Sequence, residues 1–241
     1  GKIGNPELVR GISDLYGVVK LIAVKAPTTR HFNDLVKESQ QLFDKYHWLT
    51  DENLSALHEL LKQVVTTSEL VLDEFEKVAS IQENANRTLT AAEEKRQSIF
   101  SSLNFESFNQ ATQFVDALTE LGQFKGELIS HTSLKYIDVE ALDNMEQSVD
   151  EWTLKISQAT ADFLQQEQAF EPYQDKIDTL STAIEANESI TALKPIREEI
   201  EQLVQGLELL NRTMLSLDIE DSRQRTRILE DISSIFSQVN R

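Results

Sequence analysis

Residues 141–163 read ALDNMEQSVDEWTLKISQATADF, and the spacing of their apolar members decides the fold. Leu142, Met145, Val149, Trp152, Ile156, Ala159 and Phe163 recur alternately three and four apart. A repeat of about 3.5 residues keeps one narrow seam of a helix turned toward a partner helix. Past Gln166 the ladder resumes at Phe170, Tyr173, Ile177, Leu180 and Ile184. A second one runs Leu193, Ile196, Ile200, Leu203, Leu207, Leu210, Met214, Leu217. Two ladders of similar length, joined by a turn at Asn187-Glu188-Ser189, predict an antiparallel hairpin with Trp152 near its centre. Such seams specify shape and partnership rather than chemistry.

Composition extends this reading to the whole chain. The 241 residues include seven Gly and four Pro, and of these Pro27 alone falls between Val18 and Leu121. β architecture would need more turn residues, so the expected class is all-α, an elongated bundle of long antiparallel coiled-coil helices. The absence of cysteine excludes disulfides, thiolate nucleophiles and cysteine-ligated zinc. The net charge of −18 is uneven: residues 1–31 hold five basic and two acidic side chains (+3), so the remainder sums to −21. A surface that acidic repels phosphate and anionic lipid, so neither nucleic acid nor membrane is an expected partner. The longest apolar run, Val18 to Val24, is broken by Lys20 and falls far short of the ~20 residues of a membrane span. With no signal peptide in view, a cytoplasmic protein is expected.

Asn5-Pro6 is read as N-cap and first helical residue, opening a helix with Leu8, Ile12, Leu15, Tyr16, Val19 and Ile22 on its inner face, closed by Pro27. A second helix is expected from about Thr28 to His47. A third, capped by Thr50 or Asp51, should be a rod of about 50 residues and roughly 75 Å, with looser packing beyond Val78 where small and polar residues enter the seam. Asn104 is the expected cap of a fourth helix, and Asp138 of a fifth. Pro172 should break or kink the fifth helix near Glu171, and Pro195 is placed in the first turn of the sixth. The expected organisation is short helices over 1–49, a long helix and its return over 50–133, and a hairpin over 134–241. The sixth helix should change phase after Leu217, with Ile228, Ile232, Ile235 and Val239 as a new stripe. The chain ends at Arg241 in mid-pattern, which reads as a segment of something longer.

No constellation carries chemistry. His58-Glu59-Leu60-Leu61-Lys62 resembles half of a zinc-protease helix, but Lys62 stands where the second ligand belongs. His31, His47 and His131 fall near helix ends, where capping explains them. Glu93-Glu94 and Glu198-Glu199 read as solvated helix faces. Arg223, Arg225 and Arg227 are spread around a helix and ringed by acids, favouring ion pairs over a phosphate site. Trp152 reads as core, and Trp48 as the pin of a turn. No catalytic, cofactor-binding or metal-binding residue is assigned, and no cofactor is expected.

Four stretches carry a resemblance: Leu134-Lys135-Tyr136-Ile137-Asp138, Ala169-Phe170-Glu171-Pro172-Tyr173, Leu217-Asp218-Ile219-Glu220-Asp221, and Thr226-Arg227-Ile228-Leu229-Glu230-Asp231-Ile232-Ser233. Together they resemble the long helical region of large bacterial AAA-type ATPases described as DNA-repair ATPases, over about residues 134–241. Residues 1–133 bear no quotable resemblance. The resemblance implies a non-catalytic structural or interaction arm whose motor lies elsewhere, with no functional residue to carry over. Its partners would be other helices of the same protein, a protein partner or a second copy. The alternatives are a stand-alone spectrin-like spacer and an α-helical membrane-active toxin using Val18 to Val24.

Overall fold

The structure, a computed structural model, describes residues 4–186, 189–217 and 219–241, which hold eight α-helices and no strand. Asn187, Glu188 and Asp218 lie outside the described residues, and the expected chain reversal falls on the first two. The chain divides into two compact units, Gly1–Asn84 and Ala85–Arg241, and the division falls inside the third helix.

The first unit contains α1 (Asn5–Ile22), α2 (Thr29–Lys45) and the N-terminal part of α3 (Ser55–Ser102). Gly4, not Asn5, precedes α1, and Pro6 lies in its first turn, where a missing N–H costs nothing. The inner face of α1 differs from the expected one. Gly11 and Val18 are buried with Leu15 and Leu21 against them, whereas Leu8, Ile12, Tyr16, Val19 and Ile22 are exposed. Asp14 turns the helix onto α2, accepting hydrogen bonds from Lys45 Nζ and Tyr46 Oη, both at 2.8 Å. On α2 Leu35 and Leu42 are buried, as is Tyr46 just past its end. Thr28 caps it, its Oγ1 accepting from the His31 N–H at 3.4 Å while the Thr28 N–H donates to His31 Nδ1 at 3.3 Å. His31 therefore serves a helix N-terminus. Two short 3-10 turns, His47–Thr50 and Glu52–Leu54, then lead into α3, with the Asp51 carboxylate accepting from the Asn53 N–H.

α3 spans 48 residues, close to expectation, but its packing is the reverse of the expected one. Between residues 69 and 84 no side chain is buried, and Leu70 and Phe75 are exposed. Beyond them Ala85, Ala92 and Ile99 are buried in the core of the second unit.

The second unit is built on that end of α3, with α4 (Ala111–His131), α5 (Val139–Leu164), α6 (Glu171–Ala186), α7 (Ile190–Ser216) and α8 (Ser222–Val239). Asn104 does not cap α4; Gln113 Oε1 accepts from the backbone N–H of Asn109 and Gln110 instead, at 2.8 and 3.0 Å. Asp138 caps α5, accepting from Ala141 N–H at 3.0 Å. The seam holds: Leu142, Val149 and Ile156 are fully buried, each worth about 1.5–3 kcal/mol. Its partner is not the expected one. α5 packs chiefly on α4 and also on α8, while α7 pairs with α6, α8 and α4. The hairpin expected over 134–241 is thus a set of four helices, since the break at Pro172 separates α5 from α6 and Asp221 caps α8 as a helix of its own. Pro195 lies in the second turn of α7, which starts earlier than expected at Ile190.

Trp152 accordingly meets aromatics rather than the second ladder. Its ring lies 5.6 Å from Phe100 and, edge-on, 6.3 Å from Phe105. Phe114 meets Phe108 edge-on at 5.1 Å and lies tilted against Phe163 at 5.0 Å, in the same core. Exposed ion pairs Lys95–Glu127, Lys125–Asp150 and Lys176–Glu199, each at 2.6 Å, tie neighbouring helices; such pairs contribute ~0.2–1 kcal/mol and mainly fix register.

Candidate interaction surface

An apolar groove of about 540 Å³ opens in the first unit between α1, α2 and α3. Its floor is the buried trio Val18, Leu35 and Leu61, one from each helix. Its walls are Val19 and Ile22 on α1 and Leu60 and Val64 on α3, and its lining has no carboxylate, lysine or arginine. Three helices packed side by side leave this trough because α1 and α3 both lean on α2 and nothing within the unit fills the space over it.

The groove continues into the outer face of α1. There Val9 (65%), Ile12 (57%), Tyr16 (60%), Val19 (54%) and Ile22 (53%) are more than half exposed. They recur at helical spacing, so they form one stripe rather than scattered contacts. Contiguous apolar surface on that scale marks an interaction site, whereas single exposed apolar residues need no explanation. Lys20 borders the stripe, its Nζ 4.9 Å from the centre of the Tyr16 ring. On the opposite side of α1, Lys45 and Tyr46 hold the Asp14 carboxyl below its usual range by hydrogen bonding. The same contacts hold the Lys45 ammonium above its own.

The residues singled out in the sequence are dispersed. His58 is half-buried edge-on to Phe43 at 5.0 Å, its Nδ1 buried without a hydrogen-bond partner, while Lys62 is exposed. His47 lies in the 3-10 turn after α2, and His131 closes α4, where a helix dipole favours it. Glu93 is held below the usual carboxylate range by its bond to Arg96, Nε to Oε2 at 2.9 Å. Glu199 pairs with Lys176, and Glu94 and Glu198 are exposed. Arg225 donates to the Leu215 carbonyl, fastening α8 to the end of α7, rather than to an acid; Arg223 and Arg227 are exposed. Trp48 does pin its turn, packing on Gly11 and 5.5 Å from the Tyr46 ring. Burial holds the Tyr173 hydroxyl above its ordinary pKa. Among the described residues no group of three or more His, Asp or Glu side chains could hold a metal, and no helix is long and apolar enough to cross a membrane. The chemistry the groove can supply is burial of another apolar surface. Sequence reading missed it, because its lining is drawn from three separate helices; the weak signal was an α1 with more apolar residues than one buried face requires.

Comparison with known families bears on both ends of the chain. Residues 1–47, which comprise α1 and α2, match a family described as "ATPase involved in DNA repair". Residues 168–241, which comprise α6 to α8, match a family described as a domain of unknown function. No match to the chain is found among curated proteins or solved structures. The DNA-repair ATPase description thus attaches to the N-terminal helices, where the sequence offered no resemblance. The match over part of the 134–241 stretch carries no function.

Proposed function

We propose that the chain is a non-catalytic helical interaction arm of a larger ATPase linked to DNA repair. In this reading its long helices pack antiparallel in coiled-coil fashion and hold a partner for the motor. The observation that carries it is a coincidence of place. The helices matching the DNA-repair ATPase family, α1 and α2, are those that build the apolar groove and present the exposed stripe. Two further features support it. Lys95–Glu127, Lys125–Asp150 and Lys176–Glu199 are spent in exposed pairs between helices, and the lone half of a zinc-helix motif has Lys62 in place of its second ligand.

The test is the full reading frame of the parent protein. A Gly-rich phosphate loop ending in Gly-Lys-Ser/Thr outside these residues is expected. Removing the arm from the parent should leave nucleotide binding intact while abolishing capture of the partner. A parent without such a loop would overturn the reading in favour of a free-standing spacer.

A further inference from the structure

We propose that the groove between α1, α2 and α3 seats a single amphipathic helix from a protein partner, apolar face down and acidic on its flanks. The proposal rests on the reading of the chain as an arm that holds a partner, and adds the surface and the chemistry of what is held.

Shape comes first. A trough between packed helices, with a buried floor and half-exposed aliphatic walls, is the form that receives a helix through apolar anchors at i, i+3/i+4 and i+7. Val18 and Leu61 in the floor are already buried, whereas Val19, Ile22 and Leu60 on the walls remain more than half exposed. A fourth helix laid there would cover all three walls and complete a four-helix arrangement.

Charge then selects the occupant. Residues 1–31 carry +3 in a chain of −18, and Lys20 and Lys25 stand in the stretch that forms the α1 wall. The acid of α1 nearest the bundle, Asp14, is occupied by Lys45 and Tyr46. No carboxylate lines the groove to receive a basic helix. Asp34 on α2 and Glu59 on α3 also border it, and over the stretches that form the groove, residues 15–35 and 57–68, they are outnumbered by Lys20, Lys25, Arg30 and Lys62. With a screening length of about 8 Å at physiological salt, a docked helix meets this local excess. A basic helix would be rejected by Lys20 and Lys25, which is specificity through repulsion.

The experiment uses the 241-residue chain and two synthetic helices of about 18 residues with identical leucine anchors, one flanked by Glu and one by Lys. Fluorescence anisotropy should show saturable binding of the Glu peptide and at least about tenfold weaker binding of the Lys peptide. Lys20→Glu with Lys25→Glu should reverse that preference. Ile22→Asp, at an exposed wall position, should abolish binding of both without changing the circular dichroism. Equal affinity for the two peptides, no binding of either, or indifference to the lysine substitutions would overturn the proposal. So would a dimer in sedimentation that Ile22→Asp dissociates, or flotation with phosphatidylserine-containing vesicles in place of peptide binding. None of these outcomes touches the search for a phosphate loop in the parent, so failure of the groove and failure of the ATPase reading remain separable.

Discussion

At Gly11 the backbone of α1 comes so close to Trp48 that a Cβ would stand 2.9 Å from Cη2 and nearer still to Cζ2. Gly11→Ala must push the indole off the helix, and overpacking of that kind costs about 1–3 kcal/mol in urea denaturation. Gly17→Ala is the control. Its Cβ would find Glu38 Oε2 at an ordinary 3.7 Å, so the better helix former should be neutral or stabilising by up to ~1 kcal/mol. Trp152 offers the matching test in the second unit. It is half-buried among Phe100 and Phe105, so Trp152→Ala should cost toward the lower end of the ~3–5 kcal/mol seen for buried aromatics. Glu151→Ala, exposed one residue away, should leave the thermal midpoint within experimental error. Asp14 sets a pH dependence. Its folded pKa lies below the ordinary 3.8, so its contribution is present above that value and is lost as pH falls through the folded pKa. Asp14→Asn should lower stability by a constant amount at pH 5 to 8, where the carboxylate is ionised folded and unfolded alike, and the deficit should shrink as pH falls below about 4.

Elements were legible in the sequence wherever a single stripe had a single use. α5 has a narrow seam and an Asp cap, and both lie where the spacing puts them. α1 was not legible in the same way. Its apolar residues cover about half its circumference, and periodicity cannot say which part faces α2. The deciding residue was the smallest, Gly11, which a search for large side chains passes over. The alanines of α3 misled for the same reason: Ala85 and Ala92 are buried, so their small side chains mark core rather than slack. Partnership was the other loss, since a seam declares that it has a neighbour without naming α4 over α7. The groove was illegible altogether, because it exists only once three helices are placed. α4 provides a test at this scale. Gly122 and Gly126 are exposed within it, and a Cβ at either would meet nothing within 4 Å. Each pays the entropic penalty of glycine without a packing reason, so each change to Ala should raise stability by about 1 kcal/mol. A loss at either position would mean that α4 is covered there by something the unit itself does not contain.

For the whole molecule, the proposed arm should not bind nucleotide. Titration of ATP and magnesium in a calorimeter should give no saturable heat. Saturable heat abolished by a point change within these residues would replace the arm with an enzyme. A second expectation follows from α3. The helix belongs to both units, yet from residue 69 to 84 it buries no side chain. Val71, Leu72 and Val78 are only half-buried and Phe75 touches Phe32, so this stretch is thinly covered, and most helical stability in proteins comes from packing. The linking stretch should therefore open at a free energy well below that of either core, and its amides should exchange faster than those of α2 or α5. An opening of that kind uncouples what lies on either side of it. Thermal unfolding should then show two transitions, with Gly11→Ala moving one and Trp152→Ala the other. A single transition shifted equally by both substitutions would show that α3 transmits stability along its full length, and the slow exchange of residues 69–84 would have to accompany it.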